Sequence, residues 1–250
     1  NEVLSNVSLA IEPGQTLAIL GATGSGKTTL VSLLGLFHDH YSGSIRIDGI
    51  ELRDMSRQAL RRRVGFVMQE ASLFSRSIRD NIAFGPGEHS ESDIRRAART
   101  ASADRFIGTF PDGYETLVGE RGITLSGGQK QRLSLARTLV NDPPILVLDD
   151  TTSALDTQTE SEICSAVRKG AAGRTTIIVT HRLSTAAGAD RIAIMERGRL
   201  VQIGTHEELV DRDGAYRNLL NIQNTRMNRL RMEIENASNE IQRSRIQQAV

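Results

Sequence analysis

Eight consecutive residues, Gly21-Ala22-Thr23-Gly24-Ser25-Gly26-Lys27-Thr28, limit what this chain can be more than any other stretch. They fit the pattern G-x-x-x-x-G-K-[ST] and lie between an apolar run, Leu17-Ala18-Ile19-Leu20, and a helical pattern from Thr29 to Leu36. A strand, a glycine-rich loop and a helix in that order make a phosphate cradle. Glycines tolerate positive φ, so successive backbone N–H groups can turn inward around a polyphosphate. The helix behind adds its positive N-terminal end. Lys27 then reaches the terminal phosphates as a point charge, and Thr28 offers its hydroxyl to Mg2+. Gly21, Thr23, Gly24, Ser25, Gly26 and Thr29 complete the predicted contact set. The plainer reading, a glycine-rich turn before an ordinary helix, is disfavoured by the Lys-Thr pair and the strand in front. The stretch predicts a nucleoside triphosphate site.

The 250 residues suffice for one sizeable core, alone or with a small appended subdomain. A net charge of +1 argues against bulk DNA or an anionic membrane surface as partner. The run Arg61-Arg62-Arg63 reads as a solvated helix face. Cys164, the only cysteine, falls beside Ile163 and Val167 on an expected helix, where a small buried hydrophobe is favoured over a reactive thiol. One cysteine allows no internal disulfide, which suits a reducing compartment. No apolar run approaches the ~20 residues of a membrane span, and no signal peptide opens the chain. The chain begins at Asn1, straight into strand-like sequence, which is expected of a piece of something longer whose membrane portion lies elsewhere.

Asn6 to Ile11 alternates polar and apolar residues, as a half-exposed strand should. Ser44 to Asp48 alternates again and ends in Asp48-Gly49, a hairpin signal, so antiparallel strands are expected beside the nucleotide strand. Gln58 to Arg63 reads as a short helix and Val64 to Met68 as a strand. From Ser77 to Phe110 the pattern is helical, with Ser90-x-x-Asp93 as a helix start. Ile145 to Leu148 and Thr176 to Val179 are short apolar runs typical of buried parallel strands, with a helix expected from Thr157 to Lys169 between them. Arg191 to Met195 and Leu200 to Ile203 form an expected hairpin around Arg197-Gly198, and Thr205-x-x-Glu208 caps a further helix. The fold class is therefore α/β: a P-loop parallel-sheet core with an antiparallel β subdomain and an inserted helical subdomain at about 77–140. Residues 1–224 make the main domain. Residues 225–250, with Met227, Leu230, Ile234, Ala237 and Ile241 at heptad-like spacing over too few heptads, read as a helical or frayed extension.

Two further stretches carry chemistry. Ile145-Leu146-Val147-Leu148 ends in Asp149-Asp150, and ligands in such sheets bind beyond the carboxyl ends of strands. Asp149 can face the phosphate loop and hold Mg2+, while Asp150 is placed for an attacking water; paired acids that merely cap a turn are the alternative. In Leu125-Ser126-Gly127-Gly128-Gln129, Ser126 and Gln129 form a capping box, and the two glycines expose N–H groups to an anion. The physics does not decide whether that anion belongs to the same chain's nucleotide.

These motifs, with Gln69 after a strand, Ser153-Ala154-Leu155-Asp156 and the isolated His181, come in the order seen in ABC-type ATPases, and the likeness runs from Val3 to about Leu220. The chain resembles that family's exporter class in Leu73 to Ile82 and in Val118-Gly119-Glu120-Arg121-Gly122, segments that meet the cytoplasmic ends of transmembrane helices there. A DNA-repair or chromosome-organising member would carry a very long coiled coil between Gln69 and Ser126, so no nucleic-acid partner is expected.

The resemblance implies ATP and Mg2+ as ligands and a second ABC ATPase domain, identical or different, bound head to tail. Ser126, Gly127, Gly128 and Gln129 would then face the partner's γ-phosphate. Gln69 would sense Mg2+, the water and the transport machinery, Thr28 and Asp149 would hold the metal, Asp156 would lie at the dimer interface, and His181 would touch the γ-phosphate. It also implies an exporter's transmembrane domain as partner, in the same full-length chain, and a place on the cytoplasmic face of a membrane. One departure stands out: the family's catalytic glutamate is replaced by Asp150. The implied function is ATP hydrolysis driving export; the alternative is a low-turnover ATP-binding module of a heterodimeric exporter.

Overall fold

The computed structural model describes residues 2–38, 41–119, 123–150, 163, 167 and 173–225. By compactness the chain divides into two units, 1–206 and 207–250. In the first, six strands among the described residues form the main sheet, in the order β4-β5-β6-β1-β7-β8. They are β1 (Thr16–Leu20), β4 (Val64–Val67), β5 (Ile145–Asp149), β6 (Thr175–Val179), β7 (Arg191–Glu196) and β8 (Arg199–Gly204). Neighbours run parallel from β4 to β7, and only the edge strand β8 is antiparallel. A separate two-stranded antiparallel sheet joins β2 (Arg46–Ile47) to β3 (Ile50–Glu51) across Asp48 and Gly49, both at positive φ, the backbone such a tight hairpin requires.

Strand periodicity explains how the sheet acquires two packed faces. In β5, Leu146 and Leu148 enter one apolar cluster while Val147 enters the other; in β6, Ile178 opposes Ile177 and Val179. On the second face Leu17 and Ile19 of β1 and Ala193 and Met195 of β7 join Val31 of helix α1 (Lys27–Leu34) and Leu60 of α2 (Arg57–Arg63). Successive side chains point to opposite faces, so a strand covered on both sides must be apolar throughout. β1 is apolar from Leu17 to Leu20, and all five of its residues, Thr16 included, are buried.

Between β4 and β5 the chain is mostly helical: α3 (Ile78–Ile82), α4 (Glu91–Thr100), α5 (Asp104–Ile107) and α6 (Gly127–Leu139). Ser90 and Asp93 form the expected capping box for α4. Ile94, Ala97 and Ala98 of α4 and Leu133 and Ala136 of α6 share a core with Leu146 and Leu148 of β5, so the helices are joined to the sheet by continuous apolar packing. A short helix α7 (Leu183–Ala187) follows β6.

Asn6 to Ile11 forms no strand. The alternation is still used, because Leu4, Val7, Leu9 and Ile11 pack half-buried against the core beside β1, but no ladder partner exists among the described residues. Side-chain pattern reports which face is covered, not whether the backbone is paired. Helix α8 (His206–Asp211) follows Thr205, and in the second unit residues 215–225 are helical, with an Arg217–Asp213 ion pair at 3.0 Å. The helix expected at Thr157 to Lys169 is described only at Ile163 and Val167, both helical and buried; the rest of it, Cys164 included, and the extension beyond Thr225 lie outside the described residues. No helix among the described residues is long and apolar enough to cross a membrane.

Leu146, fully buried in the second strand of the sheet, gives a direct test of the shared core. Leu146→Ala should cost about 2–5 kcal/mol by urea denaturation. A loss below about 0.5 kcal/mol, the range of surface substitutions, would contradict the packing described.

Candidate active site

The loop 21–26 leaves the carboxyl end of β1, at the centre of the sheet, and runs into α1. Gly21 is required by close approach: a Cβ there would lie 2.3 Å from the Met195 carbonyl oxygen and 2.6 Å from Ser25 Oγ. Gly26 is required by backbone, since it holds the position before the helix at φ 98°. It offers no side-chain cap, and the first turn of α1 carries no acidic residue, so that positive helix end is left to a ligand. The ammonium of Lys27 donates to the carbonyls of Gly21 and Ala22, both at 2.9 Å, which lays it along the inside of the loop. Thr23 and Gly24 stand exposed at the tip, and Thr29 lies in the first helical turn.

The loop is buttressed from the far edge of the sheet. The N–H of Gly198, in the β7–β8 turn, donates to the Ser25 carbonyl at 3.0 Å, and the Gly198 carbonyl accepts from the Ser5 N–H at 2.8 Å. This support was not legible in sequence, where Arg197-Gly198 signals only a hairpin.

The carboxylates arrive at the same end of the sheet. Asp149, 1% exposed at the end of β5, accepts from the Thr28 hydroxyl at 3.2 Å through Oδ1. Its Oδ2 is buried with no partner, as is Ser25 Oγ. Buried polar atoms are rarely left so. A hydroxyl and a carboxylate converging, with a free carboxylate lone pair, is an oxygen donor set that suits Mg2+. Burial raises the Asp149 carboxyl from its ordinary range; the Thr28 bond and Lys27 charge oppose that and the Asp150 charge adds to it. Burial lowers Lys27, against the opposing pull of Asp150 and Asp149.

Asp150 follows in the left-handed region, φ 44°, with its N–H donating to the Val179 carbonyl at 3.0 Å. A non-glycine residue in that region costs of order 1–3 kcal/mol, a strain that collects at functional sites. Its Oδ1 lies 3.1 Å from Nδ1 of His181, just beyond β6. The structure thus joins Thr28 to Asp149 and Asp150 to His181 by direct contact, with Lys27 electrostatically coupled to both acids.

Gln69 is different. It follows β4, its side chain is exposed, and its recorded bond is through the backbone, whose carbonyl accepts from the Gln131 amide. The structure brings its chain segment to the carboxyl end of the sheet without joining its side chain to Asp149. Ser126 and Gln129 make the expected capping box at the start of α6: the Gln129 N–H donates to Ser126 Oγ at 3.3 Å, and the Ser126 N–H to Gln129 Oε1 at 2.9 Å. The cap takes up the Ser126 and Gln129 N–H groups and leaves those of Gly127 and Gly128 at the helix end without an intrahelical partner. Asp156 lies outside the described residues.

The two segments singled out at Leu73 to Ile82 and at Val118 to Gly119 are side by side. The Val118 N–H donates to the Arg76 carbonyl at 3.0 Å, and the Ile78 N–H to the Thr116 carbonyl at 3.0 Å. Gly119, at φ 100°, lets the second segment lie against the first: a Cβ there would be 3.1 Å from Ser75 Cα. Glu120 to Gly122 lie outside the described residues.

Comparison with known proteins agrees with this geometry. The family model described as ABC transporter matches residues 4–153. YgaD of Bacillus subtilis (strain 168), named for multidrug export and as an ATP-binding/permease protein, is 50% identical over 222 residues, covering 89% of this chain and 38% of that protein. An ATP-dependent lipid A-core flippase of Alkalilimnicola ehrlichii is 47% identical over 222 residues, covering 88% of this chain and 38% of the flippase. Among solved structures, a bacterial Atm1-family ABC exporter with ATP bound matches with a TM-score of 0.85 at 44% identity, over 89% of this chain and 39% of that one. The chain spans well under half the length of these relatives.

Proposed function

Because the chain belongs to the ABC transporter family, we propose that it is the part of a membrane exporter that binds and hydrolyses Mg-ATP, acting on the cytoplasmic side as a head-to-tail pair with a second such domain. The observation that carries this reading is the convergence, at one end of one parallel sheet, of Lys27, Thr28, Asp149, Asp150 and His181. Loop 21–26 and the start of α1 bind the phosphates through backbone N–H groups and the Lys27 ammonium. Thr28 and Asp149, with Gln69, would hold Mg2+, which would neutralise phosphate charge. Asp150 accepts the proton of the attacking water, and His181 orients that carboxylate. The export reading is supported by relatives named for multidrug export and lipid A-core flipping, and by the pairing of segments 75–78 and 116–119 into one face for transmembrane helices.

The pairing reading rests on the capped start of α6. Its N–H groups offer an anion site beside the capping box, and the family resemblance, in which this segment faces the γ-phosphate of a second domain, supports a ligand held by a partner. Asp156 would lie in that interface.

Asp150 favours a second reading, in which this site turns over slowly beside a partner that supplies glutamate. Aspartate is one methylene shorter, and its Oδ1 is engaged by His181 at 3.1 Å. A general base acts only within hydrogen-bond reach of the proton it takes.

Three variants test these statements. Lys27→Ala should weaken Mg-ATP binding about ten- to a hundredfold, the worth of one or two charge-assisted hydrogen bonds. Nucleotide titration reads this directly, and an unchanged Kd removes the assignment of the loop. Ser126→Arg should leave ATP binding near normal yet abolish ATP-induced dimerisation, measured by light scattering; a normal dimer contradicts the head-to-tail arrangement. Asp150→Glu should raise ATP turnover toward the ~10²–10⁴ contribution of a well-placed base, at similar ATP affinity. If the unmodified chain already turns over at an ordinary rate and the glutamate adds nothing, aspartate is a competent base and the slow-site reading falls.

A further inference from the structure

After β4 the chain leaves the sheet and crosses residues 68–76 without helix or strand pairing, up to the bridge of Ser77 with Leu117, so its carbonyls must find donors elsewhere. Helix α6 supplies donors to two of them and to one carbonyl at the end of β4. Thr138 Oγ1 donates to the Phe66 carbonyl at 3.1 Å, Gln131 Nε2 to the Gln69 carbonyl, and Arg137 Nη1 to the Ser72 carbonyl at 2.9 Å. The carbonyls lie three residues apart, so an extended strip is laid across the helix and tacked down at regular intervals.

Two side chains fix the strip most firmly. Asn81 of α3 is fully buried. Its Oδ1 accepts from the Phe74 N–H at 2.9 Å, and its Nδ2 donates to the carbonyls of Phe74 at 2.9 Å and Ser77 at 3.0 Å. The same Oδ1 accepts from Arg137 Nη2 at 2.7 Å, while Arg137 Nε donates to the Asn81 carbonyl at 2.8 Å. The Arg137 guanidinium also lies 5.0 Å from the Phe74 ring centre and 5.9 Å from that of Phe84, and those two rings meet at 4.3 Å. The guanidinium thereby makes three hydrogen bonds to two segments, the strip and α3, with a planar fork that an ammonium does not reproduce. Segment 116–119 rides on the same strip through Arg76 and Ser75.

We propose that Arg137 and Asn81 form a clamp that makes the strip 69–77, with segment 116–119 on it, and helix α6 a single body, so that Arg137 is a positioning residue for Ser126–Gln129 at the other end of the helix. Arg137 lies ten residues from Gly127, about 15 Å along the helix axis. A displacement of the strip is then delivered to the anion-binding helix start as a rotation or shift of α6. The strip begins at Gln69, beside the chain's own site, and the helix ends on a partner's phosphate. The clamp therefore ties the face that meets transmembrane helices to both nucleotide sites. Its consequence for catalysis rests on the proposed function; the mechanical unity of strip and helix does not.

The experiment uses the whole chain with Arg137→Ala and, because that variant risks misfolding, Arg137→Lys, which keeps the charge and loses the fork. Amide hydrogen exchange without nucleotide should quicken about ten- to a hundredfold both at residues 72–77 and at Ser126 and Gln129, the amides of the capping box. With Mg-ATP, turnover per folded molecule should fall about ten- to a hundredfold, as expected for a misplaced helix start, and lysine should not restore it. The Kd for ATP should stay within about twofold, because the clamp does not touch the phosphate loop. A merely structural arginine would lower the melting temperature and leave turnover per folded molecule intact; that result overturns the proposal. Faster exchange confined to 72–77 overturns it as well, since strip and helix start would then be independent. If the unmodified chain fails to bind Mg-ATP, the ATPase reading and the positioning role fall together, while the exchange measurement still decides the clamp.

Discussion

A carboxylate taken out of water at the end of a strand is costly unless something facing it takes up its charge. Asp149 is such a group, and its surroundings are arranged around that cost. The strand before it is apolar because both faces of the sheet are covered, which is what buries it. Thr28 satisfies one of its oxygens and Lys27 offsets its charge, and both stand at the start of α1 because the loop turns there. The second oxygen is buried without a hydrogen-bond partner, which is where the proposed Mg2+ would bind. Strand burial, loop geometry and helix start are thus one requirement seen from three sides, and moving any of them uncovers the same oxygen.

Most of this was legible in sequence because the chemistry is local. Seven consecutive residues, Gly21 to Lys27, set the cradle, and Ser126 with Gln129 set the start of α6 where the capping box predicted it. Strand positions followed from apolar runs, and their two-faced packing from the parity of Leu146, Val147 and Leu148. What could not be read lies in contacts between distant residues. Asn81 stands in a quoted segment and Arg137 in a predicted helix, yet nothing in either neighbourhood says that they meet. Asn6 to Ile11 shows the converse: a correct burial pattern misread as a paired strand, because alternation marks covered faces and leaves hydrogen-bond partners unspecified. Gln69 lies between these cases, since its position after β4 was predicted while its side chain joins none of the acids.

The helical stretch between β4 and β5 has two kinds of attachment. Apolar contacts join α4 and α6 to the sheet and resist separation without fixing direction. Polar contacts along α6, by contrast, fix register: the Phe66 carbonyl at the end of β4 and the Gln69 and Ser72 carbonyls of the strip each meet a particular side chain of the helix. A body held this way can tilt on its greasy face while keeping its internal geometry, which is the property a transmitting element needs.

The turn between β7 and β8 looks from sequence like an ideal place to insert an affinity tag or a fluorescent label: short, charged and at the edge of the sheet. Its Gly198 is wedged between Ser25 and Ser5 by two backbone hydrogen bonds, and a Cβ there would lie 2.1 Å from the Val3 carbonyl oxygen. An insertion at this hairpin would pull the support from under the phosphate loop some 170 residues earlier in the chain. Engineering of this chain is safer elsewhere, because a change at the hairpin would disturb the phosphate loop's support while leaving the loop's own residues unchanged.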